Sequence, residues 1–199
     1  MDIRKTAVKV EGLMFGLLVV VPTSVAFLMW LADGTQRVGF AEAHIISVRY
    51  IAANLVFMAL LLPVFYVAEH RAPGTPLTWG EAMVAAVYTF FVLFWLYGVV
   101  PHEFLTWADA ELGWRPDKKI IGPEGSWATW FGFWKQIPLT VHKQTIRDIF
   151  AVHIYTVGLG GFMWICKFWN NRESNAAAAK AIEPTSRYGR PLVAKAGNA

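Results

Sequence analysis

The sequence predicts an all-α membrane protein with four transmembrane helices and an interfacial amphipathic helix between the third and fourth. Three observations support this. Hydrophobic residues make up 56% of the 199 positions. Only 16% of the residues are charged, against about 25% in soluble domains. The apolar residues also form four long runs. A bilayer is therefore the expected solvent, and the single cysteine, Cys166, excludes an internal disulfide scaffold.

Each apolar run approaches the roughly 20 helical residues that cross a hydrocarbon core. We expect spans at about 12–32, 50–68, 82–100 and 149–166. They must be helical, because isolated strands leave backbone groups unpaired in lipid. Residues 1–169 thus form one transmembrane domain with an outer segment at 101–148, and residues 170–199 form a tail.

The distribution of charge predicts an orientation. Taken together, the N-terminal segment, the loop between the second and third spans, and the tail hold ten Lys and Arg against six Asp and Glu, so the net charge of +4 falls on that side. The positive-inside rule then places both termini in the cytoplasm, which we take to be that of a bacterial inner membrane. Because this bias explains the basic charge, no nucleic-acid partner is expected.

The interfacial helix is expected just before Pro138. Ser126 can cap a helix whose aromatic residues recur at i, i+3, i+4 and i+7. These residues are Trp127, Trp130, Phe131 and Trp134. Such a face either anchors the chain at the membrane boundary, where Trp is enriched, or covers a lipid-soluble substrate or pigment.

The tail from residue 170 is polar, rich in alanine and without a periodic apolar face. We expect it to be extended or disordered when alone. Arg187, Tyr188 and Arg190 are residue types enriched in interfaces. The tail is therefore either a docking arm for a partner subunit or a solvated terminus.

Four of the five histidines are expected at the outer face of the membrane. They are His44, His102, His142 and His153. The fifth, His70, lies about 30 Å away across the core. His153 lies within the fourth span, about 7 Å deeper than Asp148. An ionisable side chain inside a span indicates a function by default.

One interpretation of His153 is axial ligation of a b-type haem, with His44, His102 or another subunit supplying the second ligand. Gly160 lies seven residues further on the same helical face, and Gly158 and Gly161 widen the gap for a flat macrocycle.

The alternative interpretation is close packing of helices through these small residues. His153 would then form a hydrogen bond with Tyr50 or Asn54, which share one stripe of the second span with Ser47.

A second chemistry is quinol binding, which needs an apolar slot and a proton acceptor. His102 and Glu103 are the candidate proton acceptors, and Trp107 and the aromatic helix are expected to form the walls of the quinol pocket. The segment Pro101-His-Glu-Phe104 resembles the Pro-Glu-Trp-Tyr motif at the quinol-oxidising site of cytochrome b, with a His inserted. The paired haem-ligating histidines of cytochrome b are missing. The overall pattern resembles a small integral subunit of a bacterial respiratory or photosynthetic electron-transfer complex.

A third chemistry is a metal site formed by His142, Asp148 and His153, together with His102, as in a copper membrane oxygenase. The spacing of five between Asp148 and His153 does not stack them on one helical face, and Asp148 can instead pair with Arg147.

Other classes fit poorly. The spans show no inverted repeat and no acidic residue in their interiors, which disfavours a transporter. No nucleophile elbow or phosphate-binding loop is present. We therefore expect an integral subunit of a multi-subunit energy-transducing complex, mainly structural and without catalytic activity of its own. Its partners would be larger membrane subunits and lipid, and it would contribute to a quinol or haem b pocket. The alternative is a copper-binding membrane oxidoreductase subunit.

Overall fold

In a computed structural model the chain is mostly helical, with four apolar helices long enough to cross a membrane. The structure describes residues 3–32, 39, 42–122 and 138–182, and side chains up to residue 175. The helices are α1 (Ile3–Ala32), α2 (Val48–His70), α3 (Trp79–Ala110) and α4 (Lys143–Ile182). Each of the four expected spans lies within one of them. The expected interfacial helix and the tail from residue 183 lie outside the described residues.

Local sequence signals explain where α2 and α3 begin and how the chain turns after α3. The Ser47 side chain caps α2 by accepting a hydrogen bond from the Tyr50 N–H at 3.3 Å. Thr78 and Glu81 form a capping box at the start of α3, in which each side chain accepts from the other's backbone N–H. Beyond α3, Gly113 adopts a φ of +61°, a conformation that glycine takes without strain.

Two helices contain a π-helical turn. In α1, Gly16–Val20 separates the α-helical segments Ile3–Phe15 and Val21–Ala32. In α3, Trp95–Val99 separates Trp79–Phe94 and Val100–Ala110. A π-turn adds one residue to a helical turn and frequently lies at a functional position.

The helices extend beyond the predicted spans. Helix α3 continues from residue 100 to Ala110 and therefore carries His102 and Glu103. Helix α4 continues to Ile182, so residues 170–182 are helical, whereas we had expected an extended tail from residue 170. This stretch is rich in alanine, the best helix former, and contains no proline. With 40 residues, α4 is about 60 Å long, twice the thickness of a hydrocarbon core.

Ion pairs and backbone contacts join the helix ends at the side that carries the net positive charge. Arg4 of α1 pairs with Glu69 of α2 at 2.8 Å. Arg71, just after α2, pairs with Glu81 of α3 at 3.0 Å. Arg172 of α4 donates to the Arg71 carbonyl.

At the other end, aromatic side chains from α2, α3, the following loop and α4 pack together. They are Tyr50, Phe104, Trp107, Trp114 and Phe150. A short antiparallel pair of strands, β1 (Lys119–Ile121) and β2 (Val141–His142), lies next to the start of α4. This end of the bundle holds most of the predicted site residues.

Candidate functional site

In α1 the π-turn Gly16–Val20 is followed closely by Pro22, and we call this combination the first proline turn. It leaves two backbone carbonyls without their regular helical donors. The Val21 N–H bonds to the Gly16 carbonyl across the π-turn. Pro22 has no N–H to donate. In a regular α-helix the N–H groups of residues 21 and 22 would donate hydrogen bonds to the carbonyls of Leu17 and Leu18, four positions earlier. Both carbonyls therefore need partners from outside the helix.

Side chains from two neighbouring helices supply those partners. His153 of α4 donates from Nε2 to the Leu17 carbonyl at 3.0 Å. The Tyr50 hydroxyl of α2 donates to the Leu18 carbonyl. Tyr50 is completely buried, and Asn54 donates from Nδ2 to the Tyr50 carbonyl at 2.8 Å. The proline turn thus connects α1, α2 and α4 through polar contacts inside the bundle.

This geometry decides which nitrogen of His153 is engaged. A carbonyl oxygen can only accept, so Nε2 carries the hydrogen and cannot at the same time ligate iron. The arrangement does not fit axial haem ligation through Nε2. The partner proposed in the packing interpretation is also wrong: His153 bonds to the Leu17 carbonyl instead of Tyr50 or Asn54.

The glycines of α4 favour helix packing over a haem slot. A Cβ on Gly158 would lie 2.9 Å from the Leu96 side chain, and one on Gly161 would lie 2.6 Å from that of Met14. Both glycines therefore permit close approach of another helix. Gly160 is the residue predicted to lie below a macrocycle. A Cβ added there would have no neighbour within 4 Å among the described residues.

The other outer-end histidines lie apart from this contact. His44 is exposed, and its carbonyl accepts from the Trp107 indole N–H at 2.8 Å. His102 is exposed and Glu103 is half-buried on α3. Trp107, the predicted wall of a quinol pocket, is instead a core residue stacked on Tyr50 at 5.6 Å.

The predicted metal ligands do not come together. Among the described residues, no group of three His, Cys, Asp or Glu side chains is placed to hold a metal ion. Asp148 accepts from Arg147 at 2.9 Å, which confirms the ion pair expected as the alternative. Arg147 also donates to Asp109 of α3 at 2.6 Å. His142 is half-buried beside β1, with a buried Nδ1 that has no partner in the described part of the chain.

Comparison with known proteins identifies no relative of this chain. The chain matches no protein-family model, no curated protein and no solved structure.

A second proline turn, in α3, repeats the first. The Val100 N–H bonds to the Trp95 carbonyl, and Pro101 has no N–H. The carbonyls of Leu96 and Tyr97 therefore lose their helical donors, as those of Leu17 and Leu18 do in α1. Unlike the first turn, this one receives no side-chain donor from residues 3–32, 42–122 or 138–175. Both turns end in Val-Val-Pro, which is the sequence signal that the two share.

A cleft lies beside the second proline turn. It has a volume of about 400 Å³ and is lined by residues of α3 and α4, namely Tyr97, Val152, Tyr155, Thr156 and Leu159. The rings of Tyr97 and Tyr155 are stacked, with centroids 5.9 Å apart. This cleft is a surface on which another helix could pack.

Sequence reasoning also missed Glu11. Helix α1 begins at Ile3, before the expected span at 12–32, so Glu11 lies within the helix, about 10 Å along its axis from Arg4. Glu11 Oε1 is buried and has no hydrogen-bond partner in the described residues. A charged residue so close to the start of an apolar run was the available signal.

Proposed function

We propose that this chain is an integral, non-catalytic subunit of a multi-subunit energy-transducing membrane complex, with both termini in the cytoplasm. Its role is to hold larger membrane subunits and lipid in place. The observation that supports this most directly is the second proline turn, where the carbonyls of Leu96 and Tyr97 lose their regular helical donors and receive no side-chain donor from the described chain.

Lipid tails cannot supply those donors. An unsatisfied backbone group in hydrocarbon costs several kcal/mol by order of magnitude. The first proline turn shows how this protein solves the same problem, since its two carbonyls receive donors from neighbouring helices. By the same logic, a helix of a partner subunit packs in the cleft of Tyr97 and Tyr155 and donates a side-chain hydrogen bond.

The electron-transfer part of the proposal is supported by the outer end of α3. His102 and Glu103 are adjacent in sequence, at least partly exposed and free of hydrogen bonds within the described chain. An imidazole and a carboxyl without a partner among the described residues could accept protons released by a quinol bound at a subunit interface. On this proposal, any haem of the complex is ligated by the partner subunits.

Co-purification of the full-length, tagged chain in mild detergent tests the structural role. We expect a complex with larger membrane subunits that is weakened by Leu159→Trp, which fills the cleft. Leu62→Trp on α2 is the matched control, because Leu62 and Leu159 are both 53% exposed. A chain that migrates alone, or equal weakening by the two variants, would contradict the docking of a helix in this cleft.

The energy-transducing role has its own measurements. The co-purified complex should show a haem band in its reduced-minus-oxidised spectrum and should oxidise quinol. His102→Ala combined with Glu103→Gln should lower quinol turnover in the assembled complex. A complex without any redox centre would refute this part of the proposal, while unchanged turnover would leave a purely structural subunit.

A further inference from the structure

A lipid-facing groove lies between the second half of α1 and the chain that leads into α2. Its volume is about 520 Å³, within the range of small-molecule sites. Most of its lining is apolar. Its main lining residues are Val19, Thr23, Ser24, Phe27, Ile45 and Ile51.

Two hydroxyl groups in this groove lack partners within the described part of the chain. Thr89 and Thr156, on other helices, each donate to the carbonyl four residues earlier in their own helix. Thr23 and Ser24 make no such bond, nor any other hydrogen bond within the described residues. Their hydroxyls are therefore free to donate to a ligand.

The lining also limits the charge of the occupant. The described residues that line the groove include no Lys, Arg, Asp or Glu, so they offer nothing to neutralise a phosphate or an ammonium group in a low-dielectric setting. A hydrocarbon chain would fill the apolar part but would leave both hydroxyls without an acceptor. The groove favours an uncharged, lipid-soluble molecule that combines hydrogen-bond acceptors with an apolar tail.

We propose that this groove binds a lipid-soluble quinone. Ring oxygens accept hydrogen bonds from Thr23 and Ser24, and the isoprenoid tail lies along Phe27 and the isoleucines. This deepens the proposed function and rests on it: the groove on α1 is a second quinone site, in addition to the quinol proposed beside His102 and Glu103 of α3, and it does not use the walls expected around Trp107.

Photolabelling tests the assignment in native membranes that contain the full chain. The probe is an azido-quinone with an isoprenoid tail, and the labelled peptides are identified by mass spectrometry. We expect label in residues 19–28 or 45–51, with competition by unlabelled quinone and none by diacylglycerol. The pair Thr23→Val and Ser24→Ala should raise the half-saturating probe concentration about fivefold to thirtyfold, as expected for two lost hydrogen bonds.

Thr89→Val is the matched control, because the Thr89 hydroxyl is already bonded within its own helix. It should leave labelling unchanged. Label elsewhere in the chain, equal competition by diacylglycerol, or no response to the double substitution would overturn the quinone site. Co-purification of the double variant with its partners is measured separately, so a failure of assembly is distinguished from a failure of quinone binding.

Discussion

The imidazole Nε2 of His153 on α4 lies 3.0 Å from the carbonyl oxygen of Leu17 on α1, and the two residues are 136 positions apart in sequence. This contact gives His153 of α4 a structural role. It meets a carbonyl that Pro22 and the π-turn have left without a backbone donor. The polar residue most indicative of cofactor chemistry in the sequence therefore stabilises the bundle.

His153→Ala should destabilise the chain, because it leaves the Leu17 carbonyl unsatisfied inside the bundle. We expect a loss of about 1–3 kcal/mol in the free energy of unfolding. Unfolding in mixed detergent, followed by tryptophan fluorescence, measures this. His102→Ala is the control, since His102 is exposed, and should change stability by less than about 0.5 kcal/mol. Equal stability of the two variants would contradict the role of His153.

A double-mutant cycle tests the origin of the free carbonyls. Tyr50→Phe removes the donor to the Leu18 carbonyl and should cost about 1–3 kcal/mol. In a Pro22→Ala background, the new N–H at position 22 can serve that carbonyl instead, so Tyr50→Phe should cost less. We expect a coupling energy of about 0.5 kcal/mol or more, measured by the same unfolding assay. Strictly additive effects would show that Pro22 does not create the need for Tyr50.

The four apolar helices could be predicted from the sequence, but the contacts at the proline turns could not. Span positions follow from apolar runs, because lipid imposes helix on any such run. The donors to Leu17 and Leu18 depend on how α2 and α4 are rotated toward α1, and spacing along one helix does not encode rotation about its axis. This explains why His153 was assigned the wrong partner.

Helix ends were also only partly predictable. Hydropathy places the start of the first span at residue 12, because Glu11 and the basic residues before it interrupt the apolar run, and it does not predict where the helix itself begins. The helix nevertheless begins at Ile3, since a helix does not have to end where its apolar run ends. The same limit applies to α4, whose helical extension into the tail follows alanine propensity more than hydropathy.

The three glycines of α4 should differ when each is replaced by alanine. Gly158→Ala should cost about 1–3 kcal/mol of unfolding free energy, because its Cβ would contact three atoms of the Leu96 side chain. Gly161→Ala should cost less than about 1 kcal/mol, because its Cβ would meet the flexible end of Met14. Gly160→Ala should be neutral or stabilise by up to about 1 kcal/mol through helix propensity.

Unfolding midpoints of the three glycine variants measured side by side check this order. The order also separates the two interpretations of these residues. A flat macrocycle lying against Gly160 would make Gly160→Ala the most damaging change, together with loss of a bound chromophore.

Glu11→Leu should stabilise the isolated chain by about 1 kcal/mol, because it replaces a carboxyl whose buried Oε1 has no partner among the described residues. Glu11→Gln is the matched variant, since it keeps the polar shape of the side chain and should give a smaller gain. Reversible unfolding of the purified chain in detergent measures both changes. Destabilisation by Glu11→Leu would contradict this prediction, because it would show that the carboxyl forms a stabilising contact in the folded chain.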